Sequence, residues 1–150
     1  MNIRTPWQRL SGCIWLARLS DKARLMSRGK LPPDYLRLLG HPQGIDGQFL
    51  RHFGLDRNAA IEATQLDDSS VERWFRLQPG VTEASIETWN ELAPNLGRRG
   101  WPGHDVFALV CKRYFGKEPS ELPAESFFEL ILLDERDVTS ASLGSRHESS

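Results

Sequence analysis

Glycine and proline cut this chain into blocks whose apolar residues recur at three- and four-residue spacings, and that combination confines it to short helices. Gly29, Pro32 and Pro33 close the first block, Gly40-His41-Pro42-Gln43-Gly44 reads as a loop, and Gly54, Pro94, Gly97 and Gly116 end or disturb later ones. Helix-opening side chains stand between these stops. Thr5 followed by Pro6 predicts a first helix running to about Ser27. Asp34, Asp46 and Asp56 can each cap a short helix, and Ser69 with Glu72 has capping-box spacing ahead of Trp74 and Phe75. Thr82 opens a block with Ile86, Trp89 and Leu92, and Asp105 to Phe115 gathers Phe107, Val110, Cys111 and Tyr114 on one side. The block from Glu125 to Asp137 contains the apolar run Phe127 to Leu133, which periodicity alone could assign to a buried strand. Its length and few β-branched residues favour helix. There is no Asn-Gly hairpin signal and no internal repeat. The expected fold is all-α: a compact single domain, residues 1–137, of about seven or eight short and medium helices bundled around a central first helix. Val138 to Ser150 holds five serines and little apolar material, so 138–150 is expected to be a disordered tail.

At 150 residues, 39% hydrophobic and 26% charged, the chain has a globular composition, which excludes collagen-like, disulfide-stapled, membrane-spanning and wholly disordered classes. Met1 to Trp7 offers no apolar leader, so no export or membrane segment is expected. Cys13 and Cys111, one in each of two helical patterns, suit buried reduced thiols and a cytoplasmic protein. The net charge of -1 hides two opposite halves: residues 1–57 carry ten basic and four acidic side chains, and residues 58–150 carry nine and sixteen. Fifteen of the nineteen basic residues are arginine, which invites a nucleic-acid reading. The acidic second half and the lack of any nucleic-acid-binding signature argue against it, so nucleic acid is not the expected partner.

The first block is the most informative. At about 100° per residue, Trp7, Leu10, Ile14 and Ala17 form one apolar stripe and Trp15, Leu16, Leu19, Ala23 and Met26 a second, as in a helix packed between layers. Asp21 falls within the first stripe, with Arg18 and Arg24 on its flanks. A carboxylate there needs partners. One reading is a structural ion pair with Arg18 or Arg24 at three-residue spacing. The other is a pocket for a small anionic ligand, lined by Arg18, Lys22 and Arg24 and oriented by Asp21.

The run Leu10-Ser11-Gly12-Cys13-Ile14-Trp15-Leu16-Ala17-Arg18-Leu19-Ser20-Asp21-Lys22-Ala23-Arg24 resembles the opening signature of a bacterial family, domain-of-unknown-function family 5069. Pro42, Asp46, Phe49, Leu50, Phe53 and Gly54, then Trp74 and the Trp89-Asn90 pair, follow in the order that family shows, so the likeness spans roughly Trp7 to Asn90. Many members have a cysteine before the proline and fewer residues before the aspartate. Here the stretch is His41-Pro42-Gln43-Gly44-Ile45-Asp46, so no role can be transferred from that cysteine. The resemblance implies a bacterial source and a set of positions, and it implies no reaction.

Other constellations are sparse. His41, His52, His104 and His147 show no pair at metal-ligand spacing, and neither cysteine has a near partner, so no metal and no cofactor is expected. No nucleophile elbow occurs, and Cys13 beside the buried stripe suits an inert core thiol. His41 and Asp46 bracket a loop that could carry function, although Asp46 could equally be a simple cap. Trp89 sits at core spacing, whereas Asn90 in a helix interior has poor intrinsic preference and asks for a reason. Gly97 to Gly103, with Arg98 and Arg99, could cradle an anion or be a solvated loop. The candidate ligand-binding residues are therefore Arg18, Asp21, Lys22, Arg24, His41, Asp46 and Asn90. Three functions fit them: a binding or interaction module for a small anionic ligand, an enzyme with Asp21 or His41 as acid or base, or a self-associating homo-oligomer.

Overall fold

The computed structural model describes residues 2–141. Contacts divide the chain into two compact units, one up to Glu91 and one from Leu92 onward. In the first unit a small hairpin, β1 (Arg9–Leu10) and β2 (Cys13–Ile14), precedes α1 (Leu16–Ser27), α2 (Pro33–Leu38), α3 (Ile45–Phe53), α4 (Arg57–Ala63), α5 (Asp68–Arg76) and α6 (Glu83–Leu92). The second contains α7 (His104–Phe115) and α8 (Phe127–Ala141), with single 3-10 turns at Ala93–Asn95 and Pro119–Glu121. The fold is all-α apart from the two-residue strands.

The hairpin corrects the expectation of a helix from Thr5. Arg9 pairs with Ile14 and Leu10 with Cys13. Ser11 and Gly12 turn the chain at φ 56° and 76°, and Trp15 at φ 75° swings it into α1. The left-handed conformation is costly at the two non-glycine positions, and tertiary bonds hold the segment in place. Asn90 on α6 accepts from the Ile14 amide at 3.0 Å through Oδ1 and donates to the Gly12 carbonyl at 2.9 Å through Nδ2. Its neighbour Trp89 donates from Nε1 to the Ile14 carbonyl at 3.0 Å. Backbone groups that a helix would satisfy internally are thus satisfied by α6.

α1 is the central helix of its unit: Leu16 to Ser20, Lys22 and Ala23 are buried, and it packs on α4, α5 and β1. Of the two expected stripes the second keeps Leu16, Leu19 and Ala23 on the helix, whereas Trp7, Leu10 and Ile14 of the first belong to the hairpin segment. Beside it, Phe49 and Phe53 of α3, Phe75 of α5 and Trp89 of α6 form an aromatic core with ring centroids 5.0–6.1 Å apart. Each fully buried ring contributes about 2–3 kcal/mol by removal from water. Helix ends follow the signals in part. Gly54 and Gly116 stop α3 and α7 at φ 65°, and Asp56 caps α4 by accepting from the Ala59 amide at 2.9 Å. The Ser69–Glu72 box does not form; Asp67 caps α5 instead, accepting from the Ser70 amide at 2.8 Å.

In the second unit Phe107, Cys111, Ala124 and Leu130 make the core, with Val110, Phe115, Leu122 and Phe127 packed on it. The ambiguous run Phe127 to Leu133 is helix. Glu129 Oε1 accepts from the amides of Glu125 and Ser126 at 2.9 and 3.2 Å while the Glu129 amide donates to Ser126 Oγ at 3.2 Å, a reciprocal cap that starts α8. In the preceding loop Arg98 pairs with Glu125 and Glu129 at 3.1 and 3.4 Å, so its guanidinium braces the start of α8. α8 continues to Ala141, and so into the span from Val138 expected as tail; residues 142–150 of that span lie outside the described residues.

Candidate functional site

Four of the seven candidate residues lie on α1, and helical spacing separates them. Arg18 and Lys22, four apart, point one way; Asp21 and Arg24, three apart, point another.

On the first side the focus is Asp46. It is not a helix cap: Gly44 holds that position, and Asp46 stands in the first turn of α3 with 2% exposure. Its carboxylate turns inward and accepts from Trp15 Nε1 at 2.7 Å, from the Gly40 amide at 2.9 Å, and from Lys22 Nζ at 2.9 Å on each oxygen. The buried Lys22 ammonium also lies 4.9 Å from the Trp15 ring centroid. Next to it, the buried Arg18 guanidinium lies 5.4 Å from the Trp15 ring and 6.0 Å from the Tyr35 ring, and donates to the Arg4 carbonyl at 3.3 Å. Gly47 lets the 41–42 loop close over this centre, since a Cβ there would lie 2.4 Å from the carbonyl oxygens of both His41 and Pro42.

On the second side Asp21 takes the Arg4 amide at 2.7 Å, Arg4 Nε at 3.0 Å and a terminal Arg4 nitrogen at 2.9 Å, with Arg24 at 3.6 Å. Arg4 and Arg24 both continue to Asp68 of α5, at 2.9 and 2.8 Å. Their hydrogen bonds, Arg4 first, hold the Asp68 carboxyl down at about 2, and the two carboxylates raise the Arg4 pKa in turn. Of the two partners expected for Asp21, Arg24 reaches it, and Arg4 takes the place expected of Arg18. Nothing local in the sequence marks Arg4, because seventeen residues separate it from Asp21 and only the hairpin brings them together.

The other two candidates stand apart. His41 Nδ1 accepts from the Gln43 amide at 3.1 Å within its own loop, and Asn90 stitches the hairpin. The seven residues therefore do not converge on one pocket. Lys22, Arg4 and Arg24 direct their charges at internal carboxylates, and Asp21 and Asp46 are saturated with donors. Burial pushes the Cys13 thiol up to about 12, far from a reactive thiolate.

An open cavity lies one turn of chain away from Asp46. Met26 of α1, Leu36 of α2, Leu39, and Arg57, Asn58, Ile61, Glu62 and Gln65 on or beside α4 line a groove of about 410 Å³. The sequence does not single it out, because three helices distant along the chain build it. Arg57 donates to the carbonyls of Gly40 and Leu39 at 3.2 and 3.0 Å and to Asn58 Oδ1 at 3.2 Å. Among the described residues no carboxylate pairs with it. Asp46 holds the Gly40 amide and Arg57 holds the Gly40 carbonyl, so the buried ion pair and the groove share one turn of backbone.

Fold and site define a helical protein with a buried Lys–Asp centre beside an open groove of mixed polar and apolar lining. The chain belongs to the family described as Domain of unknown function (DUF5069), whose model matches residues 1–137, well beyond the Trp7–Asn90 span of the signature. Searches of curated proteins and of solved structures return no match. The signature residues now have physical roles: Trp15, Lys22 and Asp46 form the buried centre, Asp21 and Arg24 tie α1 to α5, and Trp89 with Asn90 pins the hairpin.

Proposed function

We propose that this protein is a binding module, cytoplasmic and bacterial, that takes a small amphipathic anion in the groove between α1, α2 and α4. The apolar body of such a ligand would rest on Met26, Leu36, Leu39 and Ile61, with its anionic end at Arg57. The observation that carries this reading is Arg57 itself: it lines a groove with Met26, Leu36, Leu39 and Ile61 and with the polar Asn58, Glu62 and Gln65, and its charge meets carbonyls and Asn58 but pairs with no carboxylate among the described residues. A volume of about 410 Å³ suits a small molecule. The cytoplasmic assignment rests on two free, buried cysteines. The alternative of an anion seated among Arg18, Lys22 and Arg24 has less support, since that anion would have to displace Asp46 or Asp68. The enzyme reading has less still: Asp21 and His41 are engaged and neither lines the groove.

Octanoate is a suitable probe, with a seven-carbon alkyl chain and one carboxylate. Calorimetric titration should give one site per chain. Leu36→Glu, which puts a carboxylate into the groove from a half-exposed position, should weaken binding at least tenfold, as should Arg57→Gln; Leu77→Glu, on an exposed position away from the groove, should leave it unchanged. Absence of saturable binding, or equal binding by Leu36→Glu, would overturn the reading.

A further inference from the structure

We infer that the outer face of α7 is a contact surface for a second copy of this chain, packed antiparallel about Leu109. Helical spacing sets Phe107 and Cys111 on the core side of α7 and leaves Asp105, Leu109, Lys112 and Arg113 within one sector of the opposite side, with Val106 at its edge. Leu109, at the middle of the helix, is 69% exposed, and Val106 is exposed too. An isolated exposed leucine is ordinary. What distinguishes this one is the arrangement of charge around it.

Asp105 precedes Leu109 by four residues and Arg113 follows it by four. A two-fold axis through Leu109 that runs two α7 helices antiparallel puts residues equidistant from Leu109 opposite each other. Asp105 then faces Arg113 of the partner subunit, twice over, and Val106 faces the aliphatic stem of Lys112 of the partner subunit. A parallel pairing would set Asp105 against Asp105 and Arg113 against Arg113, so the charge layout selects the antiparallel form. The groups are available for it: among the described residues neither Asp105, Lys112 nor Arg113 makes an ion pair, and the Arg113 guanidinium lies only near the Tyr114 ring, at 5.9 Å. The helix is about 18 Å long. One such pair buries less than the roughly 1,000 Å² of a stable interface, so the dimer is weak.

Sedimentation equilibrium from about 10 μM to 1 mM tests this. The mass should climb from one chain, 17.1 kDa, toward two. Leu109→Asp should stay at one chain throughout, with an unchanged circular dichroism spectrum because the position is exposed; Leu109→Gln gives a second reading should the aspartate disturb the helix. Asp105→Arg should weaken association about tenfold, and Asp105→Arg combined with Arg113→Asp should restore it. A single-chain mass at all concentrations overturns the proposal. So does a dimer indifferent to Leu109 or to the charge swap, which would place the contact elsewhere.

Discussion

Replacing Asp46 by Asn changes one atom and most of a buried network. Asp46 accepts four hydrogen bonds, and an asparagine amide group would turn two N–H donors toward Trp15 Nε1, Lys22 Nζ or the Gly40 amide, all donors themselves. The Lys22 ammonium, nearly as buried as its partner, would lose its counter-charge. Removing one member of a buried ion pair costs about 3–5 kcal/mol, because the survivor has neither water nor partner. Lost hydrogen bonds to the charged group are part of that figure and are not added to it. For a chain of this size the loss lowers the melting temperature by roughly 10–15 °C. Calorimetry and urea titration of Asp46→Asn, Lys22→Met and the double variant give the coupling directly. The double should cost about 2 kcal/mol or more less than the sum, since Lys22→Met removes the stranded charge. A cost below about 1 kcal/mol for Asp46→Asn, or an additive cycle, would refute the claim that this pair is a buried fastener.

Other consequences follow from single contacts. Asn90→Ala strips the Ile14 amide of its acceptor, so it should cost about 1–3 kcal/mol and raise hydrogen exchange at Ile14 selectively. Gly47→Ala sets a Cβ against two backbone oxygens that cannot yield as side chains do, so it should destabilise by about 2 kcal/mol or more, seen in the urea midpoint. Asp68 has its pKa depressed from 3.8 to about 2 in the folded state, so its contribution to stability is complete above pH 3.8 and lost as pH falls through about 2. With its side chain 44% exposed, solvent screening holds that contribution to about 1 kcal/mol, and Asp68→Asn should flatten the fall in melting temperature between pH 4 and 2.

What was legible in the sequence was local. Gly54, Gly116 and Asp56 announce helix ends because a left-handed stop or a cap needs one residue of the right kind, and α1 announces its buried face by the stripe of Leu16, Leu19 and Ala23. The hairpin was hidden because Ser11-Gly12, the turn, sits inside an apolar pattern that also fits a helix, Trp15 takes positive φ without being glycine, and Thr5-Pro6 supplies a false helix start. Asp67 and Ser69 are both acceptable caps, and only the fold chooses between them. Lys22 and Asp46 were each visible as candidates, but not as partners. Their meeting depends on the Gly40 turn and the close approach at Gly47, as that of Asp21 with Arg4 depends on the hairpin. The groove was invisible for the same reason: Leu36 reads as an ordinary surface leucine until α1 and α4 stand beside it.

We propose that the charged residues of α1 hold the fold while the groove beside them receives the ligand. Amide chemical-shift mapping of the protein titrated with octanoate decides it most directly. Shifts should concentrate at Met26, Leu36, Leu39, Arg57 and Ile61, with Arg18, Asp21, Lys22 and Arg24 little changed. Shifts centred on those four α1 residues would contradict it.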